Sequence, residues 1–546
     1  MILVPSTSTL VSVGVIFGVL FALLRRPWTA TAVLSYMLGF VLLASFVKQA
    51  YLGTAVTLAD VRFFLLRPLE NFRLFITYPL LGATLLGVIA GVAACVAAGL
   101  RLERPVAWMA RPRLGLWTRI AIGTIAVAAG FGASQSARQD SHARVNDGDA
   151  YAAFLSMYAQ QHPGGPIGRL NVFFNNRTFA ATLPPARPQS KFFAPPAETE
   201  VGERPDIMLV LEESTFDAML IAKCPAVDCD NVMMHPLSVA DRTQQGPLLV
   251  HTTGGGTWLA EFAIMSGLDW RAFGRGGAYA PVSLAPRLKK SLPTYLRSLG
   301  YRTVAVYPTD GNFLSAETAY VDYGFDEFYE RRMLGFPDEW GDTSDAMVFD
   351  KALQLAQRDE RPVFMFVLTI RNHGPHGGDP AKVPRAFQGV AQQTSINVAD
   401  YLARTRDSSR SLVALADKWL KSPRPRVLAW FGDHQPEAAW DFTKFRDKLR
   451  ADRIAPNAGD AQLQYLTRYQ FSANFGPKER SIGKDALDLA YVSSELLHFS
   501  GLPLDASATA AKQAAAACKG LMMDCADREL IGDYLSYRVH ELHEVE

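Results

Sequence analysis

Four long apolar runs open the chain, at residues 10–24, 30–46, 74–100 and 116–133. The third is almost wholly apolar; the fourth is interrupted by Thr118, Arg119 and Thr124. A bilayer core is crossed by about 20 apolar helical residues, so residues 1–133 are predicted to form about four transmembrane helices. The 51–73 connection, with Arg62, Arg67 and Arg73, leaves room for a fifth segment, re-entrant or interfacial. Arg25 and Arg26 fill the first connection, and Arg101, Arg104, Arg111, Arg113 and Arg119 crowd the third. Both are therefore expected in the cytoplasm, with everything after about Ala133 outside it. No charged start or small-residue cleavage site brackets the first run, so no cleaved signal peptide is expected.

Residues 134–204 change character. A polar stretch with one amphipathic patch at 150–158 leads into PPARPQSKFFAPPAETEVGERP, and proline at this density predicts an extended, semi-rigid linker outside the cytoplasm. From Pro205 the pattern changes again. Apolar runs at 207–211, 303–307, 363–368 and 427–431 read as strands buried on both faces. They alternate with helical patterns at 288–299, 346–358 and 408–421, which predicts that residues 205–546 form an α/β domain with a mostly parallel central sheet. In such sheets chemistry gathers at the carboxyl ends of strands.

Composition narrows the partners. The 546 residues are 49% hydrophobic and 20% charged, enough for a sizeable core and too apolar for disorder. Lys and Arg total 55 against 53 Asp and Glu, a net charge of +2, which gives no reason to expect a nucleic-acid partner. Cys95 lies within the third apolar run, whereas Cys224 with Cys229 and Cys518 with Cys525 form two local pairs, read as short-loop disulfides of an exported domain. A four-cysteine zinc site wants C-x2-C spacing, and these gaps are four and six residues.

The unusual polar residues sit at the predicted strand ends. Glu212-Glu213-Ser214 follows the first strand, Arg371-Asn372-His373-Gly374-Pro375-His376 the third, and Gly432-Asp433-His434 the fourth. Between the first two strands His251-Thr-Thr-Gly-Gly-Gly delivers Thr257 to a helix start. A carboxylate, an Asp, a His and a hydroxyl make a mixed O/N ligand set suited to manganese or zinc. A cation would lower the pKa of the Thr257 hydroxyl, and a helix N-terminus beside it would favour the phosphoryl group it attacks. His373 titrates near neutrality, which suits it to protonate a leaving oxygen or bind a phosphate oxygen. Taken singly, each motif also reads as a turn or an N-cap; their convergence in one sheet carries the argument.

The order of these motifs, an apolar strand with Glu-Ser, then GGTWLAEFAIMSGL, NHGP and GDH, resembles the lipoteichoic acid synthase and periplasmic phosphoglycerol transferase branch of the sulfatase/alkaline phosphatase superfamily, over about residues 205–502. The resemblance implies Glu213, Thr257, Asp433 and His434 as metal ligands, Thr257 as nucleophile and His373 as a substrate-binding residue. Glu212 competes with Glu213, and Ser214 directly after the ligand favours Glu213. Manganese is the implied metal, with zinc or magnesium as alternatives. It further implies a bacterial inner-membrane protein with its catalytic domain on the periplasmic side, a phospholipid donor and a glycan acceptor. Trp340-Gly341 with Ser344-Asp345 resembles a family turn near the site, in which a surface Asp would cap the following helix. Leu314 and Ala316 stand where the family's glycerophosphate pocket has a Trp and an Arg, which opens the choice of head group.

Two rivals follow from the same residues. A phosphoethanolamine transferase shares the Glu, Thr and Asp-His logic, and the cysteine pairs suit it; the AEF-x-x-x-SGL run after Thr257 does not. A membrane protein whose exported domain binds a ligand without catalysis would have no need of Thr257 with all four ligand types. A formylglycine sulfatase lacks its C/S-x-P-x-R sequence here. His540-Glu541-Leu542-His543-Glu544 resembles a zinc-protease helix, but its His residues are three apart, and it reads as a solvated helix end.

Overall fold

The computed structural model describes residues 5–52, 55–58, 60–61, 79–107, 116, 165–175, 181–188, 193, 202–217, 232–337, 343–436 and 451–546. They fall into two compact units, residues 1–179 and 180–546.

In the first unit the three earliest apolar runs are helices, Thr7–Leu24, Pro27–Leu52 and Pro79–Leu102. Ser6 caps the first, its Oγ accepting from Thr9 N at 3.2 Å. The stretch Pro27–Phe46 is long and apolar enough to cross a membrane, and Thr9–Leu24 and Leu86–Leu102 are shorter apolar stretches. The fourth apolar run lies outside the described residues apart from Leu116. Glu103 ties the second helix to the third, accepting from Trp28 N at 3.0 Å, Thr29 N at 2.7 Å and Thr29 Oγ1 at 2.6 Å. Val106 N donates to Arg25 O at 3.0 Å. The arginine-bearing connections at 25–26 and 101–104 thus lie at the same end of the helices, as their charge pattern leads one to expect. A further helix, Gly165–Asn175, packs on the first two.

The second unit is built on one sheet of strands β1 (Asp206–Glu212), β2 (Arg242–Leu249), β3 (Arg302–Val306), β4 (Glu327–Tyr329), β5 (Val363–Leu368), β6 (Arg426–Gly432), β7 (Leu466–Ala473), β8 (Glu479–Ile482) and β9 (Leu487–Asp488). The order is β4-β3-β5-β1-β6-β7-β2-β8, with β9 also on β2. Strands β4, β3, β5, β1 and β6 are mutually parallel; β7 runs against both β6 and β2. Two reversals return β2 to the direction of the parallel set, so β1, β2, β3, β5 and β6 all end at one rim.

The apolar runs become strands because both faces are covered. Met208, Val210, Met365, Val367, Leu428 and Trp430 pack with Leu412, Leu415 and Trp419 of the Ile396–Leu420 helix and Val348 and Phe349 of the Asp345–Ala356 helix. On the other face Phe364 and Phe366 meet Phe325, and Phe366 also meets Tyr320. Strand β2 is a different case, since Gly246-Pro247 lies inside it. Its outer edge pairs with β8 at residues 242–245 and with β9 at 248–249, so the proline falls in the gap where no ladder N–H is needed.

Four expectations shift. The helix expected from 288 begins at Leu292, behind the Ser291 cap. The helix expected at 408–421 extends back to Ile396. Asp345 is not a surface cap: Ser344 Oγ accepts from Met347 N, while Asp345 is buried in the first turn. The C-terminal His540–Glu544 segment is not a solvated end, because Glu544 is 1% exposed and takes Arg538 Nε at 2.5 Å, and the His540 ring bonds Pro184 O at 2.7 Å. Within the proline-rich segment, residues 181–188 pack onto the second unit: Thr182 N donates to Phe273 O, and Arg187 pairs with Glu529 and Asp533. Cys518 and Cys525 form a disulfide, and Cys95 is free. Cys224, Cys229, Trp340, Gly341 and residues 150–158 lie outside the described residues.

Candidate active site

Three strand ends and one helix start meet at the rim. Strand β1 runs into Glu213, β6 into Asp433 and His434, and the helix Thr257–Ser266 begins with Thr257. Gly432 makes the junction possible. A Cβ there would lie 1.8 Å from Thr215 O, so the turn after β1 crosses over the end of β6 at a distance only glycine permits. Ser214, in that turn, has φ of 51°, a left-handed backbone costing of order 1 kcal/mol for a non-glycine residue. The strain is offset locally, as Ser214 N donates to Asp433 Oδ1 at 2.8 Å and its Oγ to Glu213 Oε1 at 2.7 Å.

The Thr257 hydroxyl donates to Glu213 Oε2 at 3.3 Å and lies 3.4 Å from His434 Nε2. His434 Nε2 is 3.6 Å from Glu213 Oε1 and 3.2 Å from Asp433 Oδ2. The donor atoms of Glu213, Asp433 and His434 lie within 4.8 Å of one another, all buried. The other His434 nitrogen, Nδ1, is 3.0 Å from Gln435 O, which can only accept. That fixes the proton on Nδ1 and leaves a bare Nε2 lone pair aimed at the carboxylates. Among the described residues Asp433 Oδ2 is buried without a hydrogen-bond donor. A bare imidazole nitrogen, an undonated carboxylate oxygen, a second carboxylate and a hydroxyl form a set that fits a divalent cation. Electrostatics agree. Burial, with the Asp433 charge adding to it, pushes the Glu213 carboxyl up to about 8, a cost a bound cation would remove.

Glu212 and Glu213 are separated by the strand's alternation. Glu212 faces away from Thr257, its Oε2 accepting from Thr369 Oγ1 at 3.4 Å, and burial and the Asp345 charge hold its carboxyl well above the carboxylate range. Glu213 is therefore the carboxylate brought to Thr257, Asp433 and His434.

His373 sits in the turn after β5, its Nδ1 2.6 Å from Gly374 O and its carbonyl accepting from Arg404 Nη1 at 3.0 Å. Burial lowers its pKa, partly opposed by the charge of Asp433, so the ring is neutral near pH 7. Leu314 and Ser315 both have left-handed φ, 49° and 61°, in the loop after β3 at the same rim. Sequence reasoning missed several supporting residues. Asn372 is fully buried and donates to Thr215 Oγ1 at 3.1 Å, fastening the turn after β5 to the turn after β1. Glu261, one helical turn after Thr257, is pushed up to about 8, chiefly by burial. The signal for both was their place inside the NHGP and AEF motifs.

A second buried group also pairs one imidazole with two carboxylates. His251, Asp269 and Asp488 also bring donor atoms within 4.8 Å of one another. Here His251 Nε2 is 2.8 Å from Asp488 Oδ1 and 3.5 Å from Asp269 Oδ2, and Arg271 Nε takes both Asp269 oxygens at 3.0 and 2.8 Å.

Comparison with known proteins agrees with the fold. Residues 205–457 match the family model described as Sulfatase. A protein of Haemophilus influenzae without an assigned function is 29% identical over 351 residues, 61% of this chain and 60% of that one. A Rhizobium meliloti protein, named as a candidate for cyclic β-1,2-glucan modification, is 25% identical over 317 residues, 56% of this chain and 47% of that one. The chain thus spans about half to three fifths of these relatives' length. Among solved structures, the Streptococcus pyogenes phosphoglycerol transferase GacH in complex with sn-glycerol-1-phosphate superposes with a TM-score of 0.47 at 17% identity, over 62% of this chain and 85% of that one. The α/β domain beginning at Pro205 is thus similar to the Sulfatase family over residues 205–457, a little under half of the chain.

Proposed function

We propose that this protein is a membrane-anchored, divalent-metal-dependent phosphotransferase of the cell envelope, which moves glycerophosphate from phosphatidylglycerol to a glycan acceptor through a phosphothreonine on Thr257. The observation that carries the reading is the convergence of the Thr257 hydroxyl, at a helix N-terminus, with Glu213, Asp433 and a bare His434 Nε2. Glu213, Asp433, His434 and Thr257 would hold the cation, which would supply Lewis-acid stabilisation of phosphoryl charge. Thr257 Oγ1 attacks the diester phosphorus, its bond to phosphorus forms as the bond to the diacylglycerol oxygen breaks, and the hydroxyl proton is balanced by one delivered to that oxygen. The N–H groups of the first turn behind Thr257 face the phosphoryl oxygens. His373, neutral and with its Nδ1 donating to Gly374 O, would take up a proton on Nε2 before holding a phosphoryl oxygen or handing the leaving oxygen its proton. In the second half, an acceptor hydroxyl attacks the phosphothreonine and releases Thr257.

Membrane anchoring by the apolar helices of residues 1–133 suits a lipid donor, with the α/β domain on the periplasmic side. The Rhizobium relative's name supports a glycan acceptor. Manganese is the metal we assign, since three oxygen donors and one imidazole suit it.

The test is intact mass of the full-length chain in detergent, incubated with Mn2+ and a mixture of phosphatidylglycerol and phosphatidylethanolamine, with Thr257→Ala beside it. A glycerophosphate adduct absent from the variant supports the reading. A phosphoethanolamine adduct keeps Thr257 and replaces the head group, as Leu314 and Ala316 leave room for. An adduct on Thr257→Ala refutes the nucleophile.

A further inference from the structure

Thr257 is delivered by a loop that cannot hold its own shape. Residues 251–256 read His-Thr-Thr-Gly-Gly-Gly, and Gly254, Gly255 and Gly256 have φ of 73°, 155° and 90°. Successive glycines give the backbone little preference of its own, so anchors outside the loop must set the position of Thr257. One anchor is at mid-loop, where Gly254 N donates to Gln435 O at 2.9 Å, beside His434.

The other anchor is the second buried cluster. His251 opens the loop directly after β2. Asp488 stands across from Leu249 in the β2–β9 pairing. Asp269 follows the Gly267 C-cap of the Thr257–Ser266 helix. His251 Nε2 faces the two carboxylates at 2.8 and 3.5 Å, so one knot of side chains grips the first residue of the loop and a residue after the helix. Its members do not move cheaply. The side chains of His251, Asp269 and Asp488 are fully buried, and Arg271 closes on Asp269 through Nε and Nη2. Arg271 Nη1 is also 4.0 Å from Asp524 Oδ2, inside the loop closed by the Cys518–Cys525 disulfide, and Asp488 N donates to Gly520 O of the same loop at 2.7 Å.

We propose that His251 is a positioning residue for Thr257: its bond to Asp488 and its approach to Asp269 hold the glycine loop so that the hydroxyl meets Glu213 and His434. The inference rests on the reading of Thr257 as nucleophile. A displacement of a reacting group by about 1 Å can cost on the order of a hundredfold in rate, so loosening the anchor should appear in kcat.

The experiment uses the full-length chain in detergent with Mn2+, turning over the diester probe bis-p-nitrophenyl phosphate. His251→Ala is expected to lower kcat roughly tenfold to a hundredfold, with KM and bound Mn2+ unchanged. His251→Gln, whose amide can still donate to Asp488, should recover most of that loss. A merely structural residue would lower the melting temperature and leave kcat per metal-loaded molecule intact in both variants, and that result overturns the inference. Should His251→Ala not fold, Arg271→Lys carries the test: it keeps the charge, loses the fork on Asp269, and is expected to lower kcat roughly threefold at unchanged metal content. An unchanged kcat there overturns the inference. Thr257→Ala runs beside them. If it is inactive while His251→Ala turns over normally, only the positioning role falls; if it keeps full turnover, the nucleophile reading falls and takes this inference with it.

Discussion

Two buried clusters in the second unit each join one imidazole to two carboxylates, and they are set up for opposite ends. Among the described residues the carboxylates of Glu213 and Asp433 around Thr257 have no guanidinium partner and Asp433 Oδ2 accepts no hydrogen bond, and His434 turns a bare Nε2 toward them. Burial and mutual repulsion hold Glu213 at about 8, so the group lacks a positive charge. Around His251 a guanidinium is already in place. Arg271 closes on Asp269, whose carboxyl is held below its usual value by the Arg271 and His251 charges against the pull of burial. The His251 Nε2 that faces the carboxylates carries the proton, since a carboxylate can only accept. The difference teaches that His and Asp within ligand distance do not define a metal site. What sets the Thr257 group apart is that, among the described residues, no guanidinium neutralises its carboxylates and one imidazole nitrogen is left without a proton.

Four measurements sharpen or break this comparison. The largest effect belongs to Thr257→Ala, which should lower diester turnover at least about a thousandfold while leaving Mn2+ bound through the remaining ligands. Next comes a matched pair. Asp433→Asn should weaken Mn2+ binding by roughly a hundredfold, read by calorimetry on the metal-stripped protein, whereas Asp488→Asn should leave metal affinity untouched and lower stability by about 1–3 kcal/mol. Equal metal loss in the two variants would erase the distinction between the clusters. Third, in the metal-free protein the raised carboxyls of Glu213 and Glu261, each at about 8, hold protons that the unfolded chain has released above its ordinary glutamate pKa. Their contribution is fully present at low pH and is lost as pH climbs toward 8, so the melting temperature should fall by several degrees between pH 6 and pH 8. The smallest effect is the response of that slope to metal: saturating Mn2+ should flatten part of it, as a liganded Glu213 is ionised throughout, and the residue should come from Glu261. A slope indifferent to Mn2+ would mean that Glu213 is not a ligand.

The sequence made the parallel half of the sheet readable. Strands β1, β3, β5 and β6 are uninterrupted apolar runs because helices cover both of their faces, and the polar residues at their ends therefore stood out. Strand β2 gave no such pattern. Its Gln244 and Gln245 are strand residues held by β7 and β8, and Gly246-Pro247 reads as a turn unless one knows that its edge partner is divided in two. The first half of the Ile396–Leu420 helix was hidden because it buries Asp400, Thr405 and Ser408 among its apolar positions. The site residues were legible as motifs, but the choice between Glu212 and Glu213 needed the strand's facing. The His251 cluster had no sequence signal, since its members come from positions 251, 269 and 488 and meet only through the fold.

The packing of residues 181–188 bears on how this protein should be handled at the bench. Cutting the gene at Gly202 would look natural, just ahead of β1, and would remove the segment that supplies Ala181 O to Arg287, Pro184 O to His540, and Arg187 to Glu529. The truncated product would leave the half-buried His540 ring and the Arg287 guanidinium without these partners, and would lose stability for reasons unrelated to its chemistry. A soluble fragment worth crystallising should begin at or before Ala180.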